Sequence, residues 1–191
     1  MGVNLTYKVK KMRLFIVSML LLVSVSTLRA QPLQAVPGSS NIQFKIKNLG
    51  VSVNGKFTGL TSMIQFDPAA IASASIQAQV DAKTVNTGID MRDDHLREKD
   101  YFDVKNFPVI KLVSTKISVG SRKDTWNFSG KLTIKETTLD ISFPFTAIPV
   151  AGGFQFKGEF TINRRDFGVG GGSFTMGDKV TVSLDVLATK S

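Results

Sequence analysis

Apolar residues recur at every second position over most of this chain, the spacing that gives a β-strand one buried and one solvated face. Ile42, Phe44 and Ile46 alternate with Gln43, Lys45 and Lys47, and the pattern returns at Ile64 and Phe66 and at Ile76, Ala78, Val80 and Ala82. It resumes less cleanly over 109–119 and is clearest in four later runs, 128–134, 139–145, 154–162 and 180–186. The links carry turn chemistry at Asn54-Gly55, Asp67-Pro68, Gly120 to Asp124, Lys135 to Thr138 and Gly152-Gly153. Links this short imply antiparallel neighbours, because parallel pairing needs crossovers of about a dozen residues. The pattern predicts an all-β domain, an extended antiparallel barrel of about eight strands whose closure leaves no bare sheet edge.

The inward rows of such a barrel define a candidate lumen wall: Phe44, Ile76, Ala78, Val80, Leu112, Phe128, Gly130, Leu132, Phe143, Phe156, Gly158, Phe160, Val182 and Leu184. Three small residues, Ala78, Gly130 and Gly158, sit in mid-strand among bulky ones. Glycine there either lets a curved strand bend or leaves room inside, and a barrel of about eight strands is just wide enough to be filled or to hold one small ligand. A lumen with this lining takes an apolar, elongated ligand.

One stretch breaks the strand pattern. Residues 90–108 hold the only histidine and the densest charge. Leu96, Tyr101, Phe102 and Phe107 are spaced to pack on the barrel while the charges face out, which predicts a short, partly helical flap over one end. Arg92, Asp93, His95, Tyr101, Phe102 and, from a later strand end, Arg164 are candidates for the rim, where they fix the flap or meet a ligand head group. Fixing is favoured, because half-buried charges near one another usually satisfy each other. No catalytic residue is expected: a serine triad would have to use His95, and no G-x-S-x-G elbow is present. A metal site of His95 with Asp90, Asp93 or Asp94 is the alternative by ligand type, and would make the chain a metal-binding protein or a metal-dependent enzyme. A module with a filled core is the third reading. The glycines at 168 and 170–172 are not a phosphate loop, which would need Gly-Lys-Ser/Thr, or a third spaced glycine at Ser173, before a helix. They fit a flexible turn, or a place where backbone closely approaches something bulky. For Arg164-Arg165-Asp166 the choice is a surface ion pair of little energetic value or a polar clamp at the barrel mouth.

Residues 1–30 have the layout of a secretory signal. Lys8, Lys10, Lys11 and Arg13 precede an apolar run over 14–25, and Ala30 offers a cleavage position. The expected domain is then 31–191, periplasmic or secreted. Its loss of five basic residues takes Lys+Arg from 24 to 19 against 15 Asp+Glu, so most of the +9 net charge belongs to the leader. No basic stripe with interleaved aromatics remains, and nucleic acid is not an expected partner. With no cysteine in the chain, disulfides and thiol ligands are excluded and packing alone must hold the fold.

The chain carries Ser40-x-Ile42-x-Phe44, Asn48-Leu49-Gly50, Gly55-Lys56-Phe57, Ile64-x-Phe66-Asp67-Pro68, Val85-Asn86-Thr87-Gly88, Arg92-Asp93-Asp94-His95-Leu96, Asp100-Tyr101-Phe102-Asp103, Asn106-Phe107-Pro108, Gly130 to Ile134, Asn163 to Gly168 and Gly177-Asp178-Lys179-Val180. In order and spacing these motifs resemble the YceI-like family of exported, lipocalin-like proteins. The resemblance implies a lumen that binds a polyisoprenoid, an isoprenoid quinone or a similar long-chain lipid, for carriage, storage or stress protection. It implies no catalysis and no cofactor beyond that lipid. Transient membrane contact and a monomer or homodimer are the accompanying expectations.

Overall fold

The computed structural model describes residues 31–190; the expected signal, residues 1–30, lies outside them. Ten strands follow in chain order: β1 (Leu33–Ala35), β2 (Asn41–Asn48), β3 (Val51–Phe57), β4 (Thr61–Gln65), β5 (Ser75–Asp81), β6 (Val109–Val119), β7 (Thr125–Ile134), β8 (Thr137–Val150), β9 (Gly153–Asn163) and β10 (Met176–Lys190). One short helix, α1 (Asp90–Arg97), occupies the break between β5 and β6. Eight strands, β1 and β4 to β10, close into an antiparallel barrel. The ring is completed by β1, where Leu33 pairs with Lys190 on β10 and with Ile64 on β4. The two extra strands, β2 and β3, form a hairpin along the other part of β10, with Ile46 opposite Val180 and Ile42 opposite Leu184. A single bridge from Lys56 to Asn86 ties β3 to the segment after β5.

Where pattern and structure differ, the cause is local. Asn54-Gly55 is not a turn but lies within β3; the reversal comes at Leu49-Gly50, both in left-handed conformation with φ 51° and 77°, between the paired Asn48 and Val51. Two positive φ angles are what a two-residue hairpin of matching twist requires. Gly55 instead faces Phe44 across the hairpin, and a Cβ there would lie only 2.2 Å from Phe44 Cζ. Gly55→Ala is therefore expected to cost about 1–3 kcal/mol through a displaced ring, measured by urea unfolding. The uneven pattern of β6 reflects a bulge: Ser114 pairs with Gly130 but Lys116 with Ser129, which leaves Thr115 over and shifts the inward parity to Ile117. Gly130 sits beside that bulge, and a Cβ on it would lie 2.3 Å from the Val113 carbonyl oxygen.

The barrel interior divides along its length. At one end Phe66 meets Trp126, Phe145, Phe154 and Phe156 at ring-centroid distances of 5.1, 6.2, 5.1 and 5.3 Å, and these aromatics plug the barrel. At the other end Phe167 and Val169 pack with Leu132 and Ile134, and Tyr101 and Phe102 of the flap lie against them. Phe102 and Leu96 also join Phe57, Val80 and Val85, so Leu96, Tyr101 and Phe102 anchor the charged stretch to the barrel, whereas Phe107 joins none of these clusters.

Candidate functional site

Between the aromatic plug and the flap lies a cavity of about 240 Å³ with an almost wholly apolar wall. Its lining runs from Phe145, Phe156 and Val186 at the plugged end to Asn48, Tyr101, Arg164 and Met176 at the flap end. The ten residue steps from Val186 to Met176 span about 33 Å of strand, or roughly 25 Å along the axis after barrel tilt. The space is therefore long and narrow.

Thirteen of the fourteen wall residues read from strand parity line this cavity; Gly130 does not. Its missing side chain accommodates backbone at the bulge rather than opening the lumen. Gly158 does line the cavity, with a Cβ position 3.0 Å from the Phe143 ring. Ile42, Ile46, Val53, Ile110, Ile162 and Val180 add to the wall. All but Val53 extend inward rows already visible in the alternation, whereas Val53 was hidden by the misplaced turn.

The rim candidates separate. Arg92, Tyr101, Phe102 and Arg164 border the cavity, and Asp93 and His95 do not. Asp93 is 2% exposed and accepts from the Thr87 backbone N–H at 2.8 Å and from the Thr87 hydroxyl. That hydroxyl also accepts from Arg92 Nε at 2.7 Å, and Arg92 Nη2 donates to the Thr87 carbonyl at 2.9 Å. Thr87 is thus the hub that joins the start of α1 to the barrel, a role its sequence position does not advertise. His95 is exposed and stands edge-on to Tyr101, with ring centroids 4.9 Å apart. Arg97 holds the last turn of α1, donating to the Lys83 and Val85 carbonyls at 2.9 and 3.0 Å and to Asp94 at 2.7 Å.

Among the described residues no three His, Cys, Asp or Glu side chains gather as metal donors. Asp93 is turned to Thr87 and Asp94 to Arg97, so two of the three carboxylates considered with His95 already have other partners.

Arg164 corrects the idea of a surface ion pair. It is 4% exposed, and every N–H of its guanidinium is used. Nε donates to the Gly177 carbonyl at 3.0 Å, Nη1 to those of Val169 and Gly171 at 2.8 and 3.0 Å, and Nη2 to that of Met176 at 3.4 Å and to Asp178 Oδ1 at 3.0 Å. The glycine-rich loop closes around it: a Cβ on Gly170 would lie 2.8 Å from Arg164 Nη1 and 2.9 Å from the Tyr101 ring. Here the glycine serves close backbone approach, and Arg164 fixes the loop with no donor left over for a ligand. Arg165, one residue on, is the exposed partner of Asp178 at 3.5 Å.

The chain is similar to curated relatives of comparable length. A UPF0312 protein of Pseudomonas savastanoi pv. phaseolicola is 31% identical over 152 residues, 76% of this chain and 77% of the relative. Another, from Pseudomonas fluorescens, is 33% identical over 138 residues, 66% and 70% of the two chains. Among solved structures, Burkholderia cenocepacia BcnA superposes with a TM-score of 0.75 at 28% identity, over 80% of this chain and 98% of that one. A domain of Saccharophagus degradans described as polyisoprenoid binding, and implicated in plant cell wall breakdown, shares the fold at a TM-score of 0.64 and 16% identity, over 85% of this chain and all of that one. Residues 33–188 match the YceI-like domain, and with the barrel and its flap in place this chain belongs to the YceI-like family.

Proposed function

We propose that this protein binds a long-chain amphiphile, a polyisoprenoid, isoprenoid quinone or similar lipid, with its tail in the barrel lumen, and acts after export as a carrier or store rather than as an enzyme. The observation that carries this is the cavity. An apolar void of about 240 Å³, if sealed and dry, costs up to about 6 kcal/mol. That is comparable with the whole stability of an ordinary domain, about 5–15 kcal/mol. A purely structural module gains by filling it, whereas a carrier needs the space. The volume falls just below the range of about 300–1,000 Å³ usual for drug-sized ligands, and its length suits one extended chain. The Saccharophagus degradans domain described as polyisoprenoid binding supports the lipid class, as does the YceI-like family itself.

The experiment is organic extraction of the purified protein followed by mass spectrometry, paired with thermal unfolding after delipidation. An isoprenoid or similar long-chain lipid is expected in the extract. Re-addition of an isoprenoid quinone at about 100 times its dissociation constant should stabilise the protein by about 2.7 kcal/mol and raise the unfolding midpoint by several degrees. Recovery of no lipid, together with no shift on addition, ends this reading.

A further inference from the structure

Four long cationic side chains border the cavity, and three of them are accounted for. Arg164 has spent all its donors on the loop around it. Lys111 and Lys157 are exposed, and Lys157 pairs with Asp185 at 3.0 Å. Arg92 is different. It is half-buried at the flap end of the cavity, and its two hydrogen bonds, from Nε and from Nη2, both go to Thr87. A guanidinium has five N–H donors, so three remain, including both on Nη1. Among the described residues none of the ion pairs involves Arg92. Its chain neighbour Asp93 turns its Oδ1 to Thr87 and reaches Arg92 only through the shared hydroxyl.

We infer that Arg92 is the head-group site of the lumen and that it selects ligands with an anionic oxygen head, a phosphate or a carboxylate, over neutral ones with the same tail. The inference rests on the lipid-binding reading above and adds the head-group class to it. With the lumen empty, water can solvate the free donors. Once a tail fills the lumen, its head and upper carbons displace that water, and a desolvated guanidinium without a counter-charge is costly. An anionic head supplies the charge and matches the planar fork with two parallel hydrogen bonds. An alcohol offers one weak acceptor and leaves the charge unmatched. The two anchors on Thr87 hold the guanidinium in place beforehand, so little side-chain entropy remains to be lost on binding.

The test uses ligand pairs with a common tail: farnesyl phosphate with farnesol, and hexadecanoate with hexadecanol, titrated calorimetrically into the delipidated protein. At least one anion is expected to bind roughly tenfold or more tighter than its alcohol. The two pairs show whether phosphate, carboxylate or both supply the anion. Arg92→Gln should bring the ratio of anion to alcohol affinity near one, and Arg92→Lys should keep part of the preference. Alcohol binding by each variant reports that the barrel is still folded. If a variant does not fold, the wild-type ratio decides, and it should fall as salt rises from about 0.05 to 0.5 M. Equal affinity of anion and alcohol in both pairs, or a preference that survives Arg92→Gln, overturns the inference. Failure of all four ligands to bind strikes the lipid-binding reading instead.

Discussion

Replacing Arg164 with methionine should cost this fold about 3–5 kcal/mol, seen as a large drop in the urea midpoint, although the substitution keeps most of the side chain's volume. The loss arises from what the guanidinium satisfies. Four carbonyls, those of Val169, Gly171, Met176 and Gly177, accept from it, and each buried one stripped of its donor costs roughly 1–3 kcal/mol unless water reaches it. Asp178 is 39% exposed and can turn to Arg165 or to solvent, so it adds little, and relaxation of the loop recovers part of the remainder. That brings the total into the range seen when one partner of a buried pair is removed. Arg164→Lys should recover only a minority of the loss, because an ammonium cannot span four carbonyls set around a planar fork. A cost below about 1 kcal/mol for Arg164→Met would show that the loop does not depend on this side chain.

Arg164 and Arg165 also show where reading the chain stops. The two are adjacent, identical in type and followed by an aspartate, yet one is buried at 4% exposure and the other faces water. Nothing local separates them; the separation comes from the direction in which the turn at Arg164–Phe167 leaves β9 and from a left-handed Gly168 that folds the loop back. The lumen, by contrast, was legible because strand parity alone decides which side chain faces inward. Phe44, Leu132, Phe160 and Leu184 fall on the wall as alternation requires. Parity failed where backbone was irregular. The Thr115 bulge reversed it within β6, and β3 was read as a turn because Gly55 imitates turn chemistry while serving the Phe44 ring. The three-residue strand β1 is too short to show a period at all, yet it closes the barrel. At the rim, the one histidine stood out by composition and proved exposed, while the unremarkable Thr87 holds Arg92 and Asp93 together.

Two substitutions at small mid-strand residues should then have opposite outcomes, although the bare sequence treats the sites alike. Gly130→Leu places a Cβ against the Val113 carbonyl oxygen and the Phe128 ring. Backbone in a paired strand cannot step aside, so the cost is expected to exceed about 3 kcal/mol, at or above the upper end of ordinary overpacking, with or without lipid present. Ala78→Leu adds three carbons at a position that lines the cavity between the inward Ile76 and Val80. Filling space that is otherwise empty adds apolar contact at about 0.8 kcal/mol per buried methylene, which offsets the strain of a larger strand residue. Unfolding stability should therefore change by less than about 1.5 kcal/mol. Ligand binding should nonetheless fall by roughly a hundredfold, because a tail in a cavity this narrow cannot pass a side chain that takes up part of the cross-section, and losing three to four buried methylenes costs about that factor. Urea unfolding and quinone titration on the same two proteins check both halves. A lumen that is merely an imperfection of packing would show Ala78→Leu stabilised with no binding to lose, and only a lumen that holds a ligand makes stability and binding part company at residue 78 while failing together at residue 130.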